Sequence, residues 1–144
     1  FPVGYDQSVL TPAAVALAGM YLGVVNTPFE LNTPVYRGFF SAMAQSSPQI
    51  QPPKNMYAVD GWIAADLMIR GLQGAGDCPT REAFISALRK VDSYDAGGLL
   101  RPALNLAAFR QPNECLNLVK VNAAGGAFQP QGAGPVCGRI ISSQ

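Results

Sequence analysis

The sequence predicts a mixed α/β fold in which three helices in a row are followed by a terminal β-hairpin, and three features imply it. Apolar side chains recur at helical spacing in successive stretches between residues 34 and 91. Short β-like runs at 20–25, 116–121 and 127–129 lie outside that block. Threonine, proline and glycine mark the joins between them. Strands mixed with helices argue α/β.

Taken in order, Phe1–Gln7 reads as the end of a strand and a turn, and Thr11 with Pro12 as the cap and first residue of a short helix. Met20–Val25 is a buried strand, and Asn26–Asn32, with Pro28, an extended linker. Thr33 caps the next helix, Pro34 opens it, and Tyr36, Phe39, Phe40 and Met43 form its apolar face before it ends near Gln45. The three prolines of Ser46–Asn55 make a loop. A long helix over Tyr57–Gln73 is expected to bury Trp62, Ala65, Ile69 and Leu72, with Gly74 and Gly76 stopping it. Thr80 caps a further helix that turns Phe84, Ile85, Leu88 and Val91 inward. Gly97 and Gly98 turn the chain into an extended connection over Leu99–Leu106. Leu116–Val121 and Ala127–Gln129 pair about a turn at Ala124–Gly126, and the Gly- and Pro-rich end from Gln131 is held only by a bridge at Cys137.

Composition excludes several classes of function. The 144 residues suit one domain of ordinary size, and 49% hydrophobic against 13% charged residues excludes disorder. Ten basic and nine acidic residues, scattered singly for a net charge of +1, leave no stripe to neutralise a row of phosphates, so no nucleic-acid partner is expected. The longest apolar run, Val9–Val25, is broken by Thr11, Pro12, Gly19 and Gly23 and falls short of the roughly 18 residues that span a bilayer, so a soluble chain is expected. A protein beginning at Phe1 without a leader is expected to have lost a signal or to have further sequence upstream.

Catalytic chemistry finds little to work with. The chain has no histidine for general-base work, no G-x-S-x-G elbow and no phosphate loop, so no enzyme and no cofactor are expected. Its three dispersed cysteines match no zinc spacing, and no carboxylate cluster of the EF-hand kind is present. Cys115 and Cys137 flank the two terminal β-like runs, where a bridge closing about twenty residues stabilises by ~3 kcal/mol and implies an oxidising compartment; the alternative is two buried thiols. Cys78, beside Pro79 and Thr80 at a helix start, has no base to activate it and is expected as a free thiol or one paired with sequence elsewhere.

Gly19-Met-Tyr-Leu-Gly-Val24, Pro28-Phe-Glu30, Thr33-Pro34 with Phe39, Gly61-Trp-Ile-Ala-Ala-Asp-Leu67, Cys78-Pro-Thr-Arg-Glu82 and Tyr94-Asp-Ala-Gly-Gly98 follow one another in a familiar order. Together they resemble the last third of periplasmic solute-binding proteins of the leucine/isoleucine/valine type, most of all the actinobacterial versions. The resemblance covers nearly the whole chain and implies two Rossmann-like lobes joined by three crossings, of which this chain would be the C-terminal part. Residues 1–25 would belong to the second lobe, 26–33 to a crossing, 34–100 to the helical part of the first lobe, 101–114 to another crossing, and 115–144 to the second-lobe hairpin. Lacking upstream strands to cover, the helices of 34–91 are expected to self-associate.

Function is implied by the same resemblance. It points to an extracytoplasmic binding protein, periplasmic or a cell-surface lipoprotein, that delivers a small solute such as a branched-chain amino acid to the membrane permease of an ABC importer. An amino-acid zwitterion needs an anion for its ammonium, donors for its carboxylate and a wall for its side chain. Asp6, beside Tyr5, matches the place of the family's acidic residue after a second-lobe strand, although the flanking glycines usual there are missing; Asp6 could equally cap a helix. Tyr57 matches an aromatic that lines the cleft, with Met56 and Asp60 as neighbouring candidates, whereas Trp62 fits the core better. Two other classes share these features: the ligand-sensing domain of a receptor or regulator, and a non-catalytic cell-surface interaction module.

Overall fold

The computed structural model describes residues 4–51, 53–108, 113–139 and 141. Where polar side chains precede apolar runs, helices start as their caps dictate. Thr33 Oγ1 accepts from the Tyr36 amide ahead of α2 (Pro34–Ser46), and Thr80 Oγ1 from the Ala83 amide ahead of α4 (Arg81–Leu88). The expected start at Thr11 gives way to an earlier one. Asp6 is the N-cap, α1 runs over Gln7–Leu17, and Thr11 and Pro12 fall inside it. The long helix α3 spans Met56–Ala75 and ends at Gly76.

Three antiparallel strands form one sheet in the order β1-β2-β3: β1 (Tyr21–Val24), β2 (Cys115–Val121) and β3 (Phe128–Cys137). Leu22 pairs with Val119 and Val24 with Asn117, so the first strand joins the terminal hairpin across more than ninety intervening residues. Alternate side chains Asn117, Val119 and Val121 point inward along β2. The Gly- and Pro-rich stretch from Gln131, expected to be held only by a bridge at Cys137, is also held as strand, because β3 continues past a bulge opposite Leu116–Leu118 to reach Cys137. Cys115 and Cys137 are register partners and are joined by a disulfide.

An aromatic cluster ties these elements together. Tyr5 stacks on Phe29 with centroids 4.6 Å apart and meets Phe128 edge-on at 4.9 Å, while Phe29 meets Tyr36, and Tyr36 stacks on Phe40. Residues 26–29 of the expected linker are therefore buried. Asn26, Thr27 and Phe29 are buried, and Phe29–Leu31 closes a 3-10 turn. Tyr36 donates its hydroxyl to Thr27 O, and Tyr5 Oη accepts from the Phe29 amide while donating to Glu30. Burial pushes the Tyr5 and Tyr36 phenols well above their ordinary range, the Glu30 charge adding to both. Tyr94, buried with its hydroxyl on Asp66 Oδ2, is also raised, by burial first and then by its hydrogen bond to Asp66 and the Asp66 charge.

The long helix turns a different face inward from the one its periodicity predicts. Val59, Ile63 and Gly71 are buried, whereas Trp62, Ile69 and Leu72 are exposed and Ala65 lies on the open side with them. α3 is apolar on more than one side, so its pattern alone does not select a face. Its neighbour selects it: α4 packs against it so closely that a Cβ on Gly71 would stand 2.2 Å from the Phe84 ring. Phe84, Ile85 and Leu88 are half-buried in that contact. At the hairpin turn, Gly125 has φ 72° and lies against Ala14 O of α1, with no room for a side chain.

Two outcomes follow from this packing. Gly71→Ala is expected to cost about 1–3 kcal/mol by overpacking, and combining it with Phe84→Ala is expected to recover part of that loss, which a double-mutant cycle in urea would read as coupling. Because the folded state favours the neutral phenols of Tyr5, Tyr36 and Tyr94, their stabilisation is complete below pH ~10 and is lost as pH rises beyond it. Melting temperature is therefore expected to hold from pH 8 to ~10 and to fall above it; a flat profile to pH 11.5 would contradict the buried placement.

Candidate functional site

Two helix starts and a hairpin turn meet at one spot. Asp6, in extended conformation, accepts from the Ser8 amide and hydroxyl through Oδ1, at 2.9 and 2.8 Å. Asn55 caps α3 in the same way, its Oδ1 accepting from the Tyr57 and Ala58 amides at 2.9 and 3.2 Å. The two caps are joined to each other: Asn55 Nδ2 donates to Asp6 Oδ2 at 2.5 Å, and the two residues form an isolated antiparallel bridge. Gln7 extends the join by donating its amide to Lys54 O and its side chain to Gly126 O of the hairpin turn.

Electrostatically, the amide ends of α1 and α3 both carry partial positive charge, and Asp6 is the anion placed between them. Tyr57 stands beside this junction, 60% exposed, with its ring open to solvent. Met56 is half-buried against the core. Tyr5, next to Asp6 in sequence, goes the other way: it is fully buried and its hydroxyl is shared between Phe29 and Glu30. Asp6 and the start of the Tyr57 helix are thus brought together through Asn55, and Tyr5 supports them from the core. Trp62 is divided, edge-on to Phe39 at 5.4 Å yet 41% exposed.

Asn55 and Asn26 escaped the sequence reading. Asn55 carried a usable signal, since an asparagine directly before an apolar helical run is a cap candidate, but the prolines around it read as loop. Asn26 carried none. It is buried where the chain crosses from β1 towards α2, and its Nδ2 donates to Asp60 Oδ1 on α3 at 3.3 Å. Asn117 Nδ2 donates to Asn26 O and Arg101 O, while Thr27 donates to Gly98 O and Leu99 O, so residues 26–27 and 98–101 are stitched side by side.

Other features lead elsewhere. A shallow hollow of about 720 Å³ over α4, lined by Arg81, Glu82, Ile85, Ser86, Arg89 and Lys90, shares no residue with this junction and is too open to enclose a solute. Cys78 is an exposed free thiol. Among the described residues no group of three His, Cys, Asp or Glu side chains could hold a metal, and no helix is long and apolar enough to cross a membrane.

The family model described as periplasmic binding protein matches residues 1–127. The chain belongs to that family. No curated protein and no solved structure matches it. The membership gives the chain a solute-binding role with a small-molecule ligand, in a family that typically works outside the cytoplasm alongside an ABC permease. Its mixed α/β architecture, helices beside an antiparallel sheet, agrees with the family's fold.

The joined caps generate a stability test. Asp6→Ala and Asn55→Ala are each expected to cost about 1 kcal/mol as lost caps, and the double variant to cost less than the sum, because either change already breaks the Asp6–Asn55 bond. Urea denaturation of the four proteins measures that coupling; strict additivity would show the two caps to be independent.

Proposed function

We propose that this periplasmic binding protein chain captures a small amphipathic solute outside the cytoplasm, a branched-chain amino acid or a close relative, for delivery to an ABC importer. The family match over residues 1–127 is the observation that carries the proposal. The Cys115–Cys137 disulfide supports an oxidising compartment and weighs against a cytosolic regulator with the same fold.

By the family's two-lobed plan, 1–25 and 115–144 would share one lobe and 34–100 belong to the other, with both groups meeting in one core in this chain. β1 is hydrogen-bonded to the terminal hairpin, while α3 pairs with α4. Asp6 and Tyr57 would then flank the opening from opposite lobes, Tyr57 as an exposed wall for the solute's apolar side chain and Asp6 as the negative charge that favours a cationic group. Tyr5 would act from beneath, holding Asp6 in register through the aromatic cluster. The apolar side chains left exposed on α3, among them Met68, Ile69 and Leu72, fit the expected self-association of the separate chain.

Calorimetry with leucine, isoleucine and valine tests the proposal. Tyr57→Ala is expected to weaken binding by about 1–3 kcal/mol through lost wall contact. Asp6→Asn is expected to weaken it by about tenfold, since the oxygens of Asp6 are already engaged and its part is the charge. Unchanged affinity in both variants would place the solute elsewhere on the chain.

A further inference from the structure

An acceptor without a donor is buried at the crossing. Asn26 is 3% exposed, and its Oδ1 has no hydrogen-bond partner. Turning the amide over would not satisfy it, because the carbonyl oxygen would then face the Asp60 carboxylate, acceptor against acceptor. The orientation with Nδ2 on Asp60 is therefore required, and Oδ1 is left needing a donor that the described residues do not supply. A second buried acceptor on the same segment, Glu30 Oε1, also lacks a partner.

Two carboxylates lie close to the segment that holds Asn26. Glu30 and Asp60 both lie near enough to Tyr36 to act on its phenol, and neither is in an ion pair among the described residues. Asp60 uses Oδ1 for Asn26, and among the described residues Oδ2 holds no hydrogen bond. It is solvent-exposed and stands three residues after Tyr57, on the same side of α3. The oxygens of Asp6, by contrast, already hold three hydrogen bonds.

We propose that Asn26 Oδ1 and the Asp60 carboxylate form the subsite for the protonated primary amine of the solute, an inference that rests on the solute-binding reading above. An ammonium group brings three donors and one positive charge, which matches an unanswered amide oxygen beside an unpaired carboxylate. An inorganic cation fits less well, since calcium takes roughly six to eight oxygens, and no group of three acidic, His or Cys side chains exists among the described residues. Asn26 Oδ1 is enclosed, so this subsite requires that α3 and the segment at Asn26 part to admit the amine.

Three probes distinguish the parts of the site: leucine, 3-methylbutylamine, which lacks the carboxylate, and 4-methylpentanoate, which lacks the amine. Asp60→Asn keeps the side-chain shape at an exposed position, so it is expected to fold as the wild type does. Calorimetry is expected to show leucine and 3-methylbutylamine binding at least tenfold more weakly to Asp60→Asn, with 4-methylpentanoate changed less than twofold. Asn26→Leu, checked for folding by circular dichroism, is expected to follow the same pattern. Equal affinities in wild type and Asp60→Asn, or an equal loss for all three probes, would overturn the amine subsite. Wild-type protein that bound 4-methylpentanoate but neither amine would also overturn it while leaving the solute-binding proposal standing. A wild type that bound none of the three would overturn the subsite together with the amino-acid reading on which it rests.

Discussion

Two buried tyrosine hydroxyls hold the crossing segment, and most of the architecture depends on them. Tyr36 reaches from α2 to Thr27 O, and Tyr5 reaches from the residue before Asp6 to the Phe29 amide and Glu30. Both rings are fully buried, so each hydroxyl is either bonded or costs about 1–3 kcal/mol as an orphan. Those bonds fix the path of residues 27–30 between β1 and α2. Once that path is set, Phe29 can stack on Tyr5, and the sheet and the helices share one core.

The candidate site is assembled from the consequences. Tyr5 lies in the core, so Asp6 must follow it at the edge, where it caps α1 and takes the Asn55 amide. Asn55 in turn sets the first turn of α3, which presents Tyr57 to solvent and, one turn later, Asp60 to Asn26. Polar groups at this junction are coupled in series: cap, bridge, cap, helix, crossing. Such a chain is rigid while intact and gives way at its weakest link.

Close approach is the other organising device. Gly71 lets α4 sit against α3, and Gly125 lets the hairpin turn touch the backbone of α1. Both glycines are needed for what comes near them. In the sequence Gly71 is one glycine inside a helical pattern, a position that ordinarily counts slightly against the helix. Its reason for being there is the Phe84 ring, thirteen residues further on.

From the sequence alone, the local events were decided: the Thr33–Pro34 and Thr80 helix starts, a strand within 20–25, the turn at 124–126, and the cysteines that flank the hairpin. These depend on caps, turn chemistry and periodicity, which act within a few residues. The family order of motifs was legible too, as were Asp6 and Tyr57 as polar and aromatic candidates near element starts. Only the tertiary structure decided which side of α3 is inward, because that helix is apolar on several sides and the choice was made by α4 and Tyr94. It alone carried Asp6 onto Asn55 and Asn26 onto Asp60, contacts between residues 49 and 34 positions apart that no local pattern encodes. And it alone turned an apparent linker into a buried crossing, since a tyrosine hydroxyl nine residues away supplies the donor that its backbone needs out of water.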